Sequence, residues 1–155
     1  MALVVPWPSV RQALIRSLRA NLVLAGQMVE DDWSEGFAPE GAGFPRGIFQ
    51  LHYAPALLDW TGVVNILGVD VLVFSKTQGE AASLDQLVFT TLTSQRLAVT
   101  GQTFLSIKKA SSLSLQDVDE QGKPIYEVGG VYEISVAQSN PAVRSLIFDA
   151  DSDIA

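Results

Sequence analysis

Few side chains in this sequence are able to do nucleophilic or metal chemistry. There is one histidine, His52, and no cysteine. A serine–histidine–aspartate triad would have to use that histidine, and no Gly-x-Ser-x-Gly motif is present to supply the serine. Zinc sites need several histidine or cysteine ligands. His52 lies between Leu51 and Tyr53 in a stretch typical of a strand, so we expect it to be structural.

Carboxylates are more numerous, but none is placed where a catalytic pair is expected. Asp31 and Asp32 fall in a loop, and Asp117, Asp119 and Glu120 fall near a turn. Catalytic carboxylates need a shaped, partly buried site, whereas loop carboxylates are usually solvated. The spacing of acids at 149, 151 and 153 resembles the start of a calcium loop, yet the glycine and the distal glutamate of that loop do not follow.

Phosphate-binding loops are also missing. Gly122-Lys123-Pro124 lacks the glycine spacing and the hydroxyl of a Walker motif. The chain has 10 Lys and Arg against 17 Asp and Glu, for a formal net charge of -7. Binding to nucleic acid needs clustered cations, so sequence-specific nucleic-acid binding is not expected. The sequence therefore predicts a protein that is not an enzyme and has no cofactor or metal.

Length and composition favour one domain spanning residues 1–155. Hydrophobic residues make up 48% of the chain, and the mean hydropathy is +0.25. Two interpretations remain open: a well-filled core, or apolar surface that neighbouring subunits cover. The apolar start lacks the basic residues of a signal peptide, and no stretch is long enough for a membrane span. We expect no membrane association and a location in the cytoplasm of the cell that makes the protein.

The elements of the first half follow from apolar spacing. A helix is predicted over residues 10–24, with Ser9 as its N-cap and Gly26 beyond its end. Three arginines lie off its apolar stripe; they form a solvated face or contact an acidic neighbouring subunit. Residues 27–47 are predicted to form a long acidic loop. A strand over 48–53 follows, and Pro55 ends it.

The second half begins with a long strand over residues 60–75 that is apolar on both faces and therefore central in its sheet. Thr77-Gln78-Gly79-Glu80 is a capping box that starts a helix over 79–95. A hairpin is predicted with strands at 104–118 and 125–136 and with a bulge or bend at 129–130. Residues 139–155 are expected to form a flexible acidic tail.

The predicted order is α-β-β-α-β-β. Strands joined as hairpins with two helices favour an α+β fold in which an antiparallel or mixed four-stranded sheet packs against two helices.

This pattern resembles the tail-terminator, or tail-completion, proteins of long-tailed bacteriophages over roughly residues 9–138. The resemblance rests on the order of elements: the first helix, the strand ending in Asp70-Val71-Leu72-Val73-Phe74-Ser75, the Gly-Glu-Ala start of the second helix, and the closing hairpin with Gly122 at its turn and Tyr132-Glu133-Ile134 in its return strand.

The resemblance implies a non-enzymatic α+β domain that assembles into a homo-oligomeric ring of six subunits. Such a ring caps the tail tube, stops its polymerisation and offers a surface for joining the head. The implied partners are further copies of the chain, the tail tube protein and a head-completion or connector protein. The implied location is the virion tail, with assembly in the host cytoplasm.

Two sets of residues are candidates for the work of such a ring. The predicted contacts with a neighbouring subunit or the tube are Trp33, Phe44, Arg46, Phe104, Tyr126 and Tyr132. An acidic lining of the pore, which would repel DNA, is predicted for Asp117, Asp119 and Glu120.

Other functions remain open. One is a head–tail connector or minor tail protein with a related fold. A function of another class is a monomeric domain that binds a protein or peptide through a sheet edge.

Overall fold

A computed structural model describes residues 6–28, 32–37, 43–59, 62–94 and 96–139. The first helix, α1, spans Trp7–Ala20 and buries the predicted apolar stripe, including Val10 and Leu14. It starts before Ser9, so the predicted N-cap is wrong: Pro6 occupies that position without a side-chain cap. A proline in the first turn, here Pro8, suits a helix start because the missing N–H would have no helical partner.

The first helix also ends earlier than predicted, because Asn21 interrupts the helical backbone. This residue is extended, and its side chain accepts a hydrogen bond from Leu24 N, which starts a second helix, α2, over Leu22–Gln27. Gly26 therefore lies inside a helix rather than beyond one. Asn21 Nδ2 also donates to Thr91 Oγ1 at 2.8 Å.

The predicted N-cap at Thr77 is confirmed, but the return bond of a capping box is replaced, because Thr77 N donates to Ser75 Oγ. The third helix, α3, spans Gln78–Thr93, and the Thr77 side chain accepts a hydrogen bond from Glu80 N. Glu80 in turn accepts a 2.6 Å hydrogen bond from Ser75 Oγ, which fixes the chain between the central strand and the helix. No helix of the described residues is long and apolar enough to cross a membrane.

Over the described ranges, the sheet has six strands rather than the predicted four. The first two helices precede β1, and α3 lies between β4 and β5. The strands are β1 Trp33–Glu35, β2 Arg46–Tyr53, β3 Ala56–Asp59, β4 Gly62–Ser75, β5 Thr103–Val118 and β6 Pro124–Ser139. Five of them run in the order β1-β2-β4-β6-β5, and β3 pairs with the start of β4. Only β1 and β2 are parallel, so the mixed α+β class is confirmed.

The four predicted strands correspond to β2, β4, β5 and β6. The other two strands are short and lie in segments that were predicted to be loops. β1 lies inside the acidic segment 27–47, and β3 follows Pro55. The predicted tail over 139–155 lies outside the described residues, apart from Ser139 at the end of β6.

The central position predicted for β4 is confirmed, since it pairs with β6 on one side and with β2 and β3 on the other. On one face of β4, Val69, Val71 and Val73 are at most 1% exposed and belong to the core. Buried side chains from α1 and α3 fill the same cluster. All the helices thus cover one face, which we call the covered face. The other face is called the open face.

The predicted bulge at 129–130 is wrong. Pairing of β6 with both neighbours continues without a shift through Gly129 and Gly130. A Cβ at Gly129 would collide with the backbone of Val71 and Leu72, so close strand approach explains the glycine. The irregularities lie in β5 instead, between Phe104 and Ser106 and between Lys109 and Ser111.

Candidate functional site: the open sheet face and its edge

The open face carries apolar side chains that the described chain leaves partly uncovered. Ile48, Leu72, Gly129 and Leu113 face one another across β2, β4, β6 and β5 in consecutive register pairs. The three side chains of this row are half-buried. No described element packs over them. We call Ile48, Leu72 and Leu113 the apolar row; apolar surface of this kind commonly marks a contact with another protein.

A polar cluster closes one end of the open face. His52 Nδ1 lies 3.1 Å from Asp70 Oδ2, and Tyr53 donates to Glu133 Oε1 at 3.0 Å. The Tyr53 ring lies directly over Gly68, at the point where β2 shifts register. Partial burial and then the Glu133 carboxylate raise the pKa of Tyr53.

His52 therefore serves as a cross-strand partner of Asp70, in agreement with a structural role. Among the residues that the structure describes, no group of three or more His, Cys, Asp or Glu side chains is arranged to hold a metal ion.

Two predicted contact residues meet at the other end of the open face. The Arg46 guanidinium lies 4.5 Å from the centre of the Phe44 ring and 5.5 Å from that of Phe74. Lys76 Nζ lies 5.5 Å from the Phe44 ring. Cation–π contacts hold these long side chains in place, so this end is a preformed, positively charged aromatic patch.

The remaining predicted contacts are spread over the molecule. Trp33 is half-buried beside α1, with its ring against Gly47. Phe104 is half-buried and lies 5.5 Å from the Arg96 guanidinium. Tyr126 is half-buried on β6. These three residues do not join the patch at Phe44 and Arg46.

Tyr132 was predicted to contact a neighbouring subunit or the tube, and its burial contradicts that prediction. It is 0% exposed, on the covered face, and belongs to the core, so it packs within the subunit. Burial and then Asp85 raise the pKa of its hydroxyl. That hydroxyl makes no hydrogen bond with the described chain. Lys109, above the ring, pairs with Asp85 at 3.1 Å.

The acidic hairpin tip has one carboxylate that holds the turn and two that are exposed. Asp119 accepts hydrogen bonds from Gln121 N and Lys123 N, both at 2.9 Å, and so holds the turn. Asp117 and Glu120 are exposed, and Asp117 accepts from Val118 N.

A carboxylate that sequence reasoning left out of the site, Glu127, lies beside Asp117 on the open face. Burial and then Asp117 raise the pKa of Glu127. The alternation of β6 already placed Glu127 on this face, but only the hairpin register brings it next to Asp117.

The outer edge of β5 pairs with no described strand, since β5 ends the sheet. Large apolar side chains along it are exposed: Leu105 by 48%, Leu115 by 51% and Val118 by 59%. A long unpaired edge can accept another strand. The open face and this edge are contiguous through Leu113 and Leu115, and together they form the candidate interaction surface.

Comparison with known proteins extends the description of the fold. No protein-family model matches the chain, and no curated protein matches its sequence. Among solved structures, a chain of the virion of a native gene transfer agent particle superposes with a TM-score of 0.67 at 16% identity, covering 88% of this chain and 99% of that one. The gp17 protein of bacteriophage SPP1 superposes with a TM-score of 0.53 at 16% identity, covering 90% and 98%.

These similarities extend over nearly the whole of both known chains. They show that this chain shares its fold with a chain of a gene transfer agent virion and with a bacteriophage protein.

Proposed function

We propose that the chain is a structural, non-enzymatic component of a virion tail, of the tail-terminator or tail-completion kind. The observation that carries this proposal is the fold shared with a chain of a gene transfer agent virion over 88% of the sequence. The fold shared with the gp17 protein of bacteriophage SPP1 over 90% of the sequence also supports this proposal. Assembly takes place in the host cytoplasm.

The protein acts as a ring of identical subunits, with six as the expected number. A ring closed by head-to-tail contacts uses two different patches on each subunit. The outer edge of β5 with the apolar row supplies one patch. The β1 side of the sheet, with Trp33, is the candidate for the other. The half-buried apolar row supports this arrangement, because it has no cover within the described chain.

One end of the ring sits on the tail tube protein and blocks further addition of tube subunits. The other end offers a surface to a head-completion or connector protein. The aromatic patch of Phe44 and Arg46 is a candidate contact for one of these partners, since aromatic and arginine side chains are frequent anchors of interfaces.

Carboxylates at and beside the hairpin tip that do not hold the turn are the candidates for the pore lining. The pore lining is better assigned to Asp117, Glu120 and Glu127 than to the three residues predicted from the sequence. The reason is that the Asp119 carboxylate already accepts hydrogen bonds within the turn. Negative charge along a pore repels the phosphates of passing DNA. The test is DNA ejection from particles carrying Asp117→Asn, Glu120→Gln and Glu127→Gln together. Slower ejection is expected, and unchanged ejection would contradict the lining role.

The main test measures assembly directly. The purified protein is analysed by native mass spectrometry and negative-stain electron microscopy, alone and mixed with tail tubes. A closed ring with a central hole, or tubes capped at one end, is expected. A protein that stays monomeric and leaves tube growth unchanged would overturn the proposal. Labelled protein found at the head connector or inside the tail would indicate a connector or a minor tail protein instead.

A further inference from the structure

The open face carries charges of opposite sign at the end nearest the hairpin turn. Lys76, which directly follows β4, is exposed, and its Nζ lies 5.5 Å from the ring of Phe44, just before β2. Glu127 on β6 and Asp117 on β5 lie at the same end of the face. The β2 side of this end is therefore positively charged, and the β5 side is negatively charged.

Glu127 has no cation beside it within the described part of the chain. It makes no hydrogen bond or ion pair with the described residues, and its neighbours across the strands are Phe74 and Leu115. Burial and then the nearby Asp117 carboxylate raise its pKa. Because a half-buried carboxylate beside a like charge is destabilised, a cation supplied by another molecule would stabilise it.

The open face thus holds both halves of a complementary contact, with the apolar row beside them. A two-fold rotation about an axis parallel to the strands, between β4 and β6, lays β4 over β6 of a second copy and β2 over β5. This rotation does not change the height of a residue along the strands. The positive side of each face therefore meets the negative side of the other, and the two apolar rows meet between them.

We propose that two copies of the chain pack with their open faces together as a two-fold symmetric dimer. Lys76 of each copy faces Glu127 and Asp117 of the other, and Ile48 of each lies against Leu113 of the other. Packed sheets lie about 10 Å apart, and a two-fold contact uses one self-complementary patch twice. A second copy is the favoured occupant because it matches the apolar row and both signs of charge at once.

The size of the face predicts a weak dimer. Four strands about 4.8 Å apart, over about eight residues of about 3.4 Å each, give a footprint of roughly 500 Å² per copy. A standard interface buries about 800 Å² per partner, so we expect dissociation in the micromolar range. The dimer covers the apolar row, which the proposed ring contact also uses. It is therefore a form of the free protein, and its existence does not rest on the proposed function.

The test is sedimentation velocity of the full-length chain without tail tubes, over roughly 1–200 µM. A reversible equilibrium that stops at two copies is expected. Lys76→Glu should raise the dissociation constant about tenfold or more, because it sets like charges together at both contacts. A negative charge just before α3 suits the start of a helix, so the subunit should still fold. Arg16→Glu, exposed on α1, makes the same change in net charge and should leave the constant unchanged.

A mixing experiment tests the pairing itself. Glu127→Lys alone should weaken the dimer as Lys76→Glu does. An equimolar mixture of the two single variants should dimerise again, because both contacts of the mixed dimer join opposite charges. Neither variant should dimerise by itself at the concentration used for the mixture.

The position of the contact is checked by cross-linking, since the chain has no cysteine. A Leu113→Cys variant is labelled with a benzophenone maleimide, mixed with a copy labelled with heavy nitrogen, and illuminated. Cross-links from the variant to residues 46–50 of the heavy copy are expected, because β5 of one copy lies over β2 of the other.

Several results would overturn the inference. The chain could stay monomeric at every concentration, respond equally to Lys76→Glu and Arg16→Glu, or grow beyond two copies without tubes, as a head-to-tail contact would. Cross-links from Leu113→Cys to residues 140–155 of its own chain would show that the end of the chain covers the face instead. Tube capping is measured separately, so failure of the dimer and failure of the proposed function are distinguishable.

Discussion

The two faces of the sheet differ in what the chain supplies to cover them. On β4, alternate residues pass from the covered face, where Val69, Val71 and Val73 are buried, to the open face, where Leu72 and Phe74 stay half-buried. Both faces are largely apolar in sequence. The helices bury only the covered face. An apolar strand therefore predicts that both of its faces are buried, but not whether the same chain or another protein buries them.

The largest expected effect comes from one side-chain truncation made on each face. Leu67→Ala on the covered face removes a fully buried side chain and should cost about 2–5 kcal/mol of unfolding free energy. Leu72→Ala, five residues along the same strand on the open face, should cost about 1 kcal/mol or less in the isolated subunit. Urea unfolding at low protein concentration measures both. Equal losses would mean that the open face is not a surface of the subunit.

The reverse contrast is expected for assembly. Leu115→Asp places a charge on the exposed open side of β5, opposite Glu127, and the like charges should cost the isolated subunit no more than about 1 kcal/mol. Capping of tail tubes should nevertheless be lost, because an unpaired charge would be buried in the contact. Gln116→Asp, the next residue and pointing to the other side of the strand, is the matched control. Capping that survives Leu115→Asp would remove this edge from the proposed contact.

Tyr132→Phe tests the corrected position of a residue first predicted at an interface. The buried hydroxyl has no hydrogen-bond partner in the described chain. Its removal should leave stability unchanged or raise it by up to about 1 kcal/mol. Thermal unfolding measures this change, and tube capping should stay as in the original protein. A loss of tube capping at unchanged stability would indicate that Tyr132 takes part in an interface after all.

The smallest expected effect concerns the pH dependence at Glu127. Burial and Asp117 raise its pKa in the folded state, so the folded protein holds this proton more tightly than the unfolded chain. Glu127 therefore lowers stability as the pH rises from its unfolded pKa through its folded pKa, and the penalty persists above that range. Glu127→Gln should be more stable than the original protein at neutral pH and nearly equal at acidic pH, below the unfolded pKa of about 4.3. Urea titrations across that range check the sign.

Sequence reasoning predicted the elements whose signals are local. The N-cap at Thr77, the two-sided apolar strand β4 and the hairpin turn at Gly122 follow from neighbouring residues. The break at Asn21 was missed, because the apolar spacing continues across it. The hydrogen bond from Asn21 to Thr91, 70 residues away, helps to hold this interruption of the helix.

The candidate site was predictable only in part. The alternation of β6 separates the open from the covered side, whereas that of β5 is broken by its two irregularities. The acids at 117 and 120 were correctly predicted to be exposed. The burial of Tyr132, the use of Asp119 in the turn and the row formed by Ile48, Leu72 and Leu113 all depend on register between strands. Register is set by long-range pairing, which one sequence read along its length does not contain.

The two irregularities in β5 affect how readily the exposed edge of a single subunit can pair with another strand. They fall at residues 104–106 and 109–111, on either side of the exposed Lys108, and among the described residues of β5 they leave 111–118 as a regular unpaired edge. Bulges and lysines discourage indiscriminate strand addition. If subunits join through this edge as proposed, we expect a free subunit to resist fibre formation through residues 103–110, while residues 111–118 still accept a partner with a matching short strand.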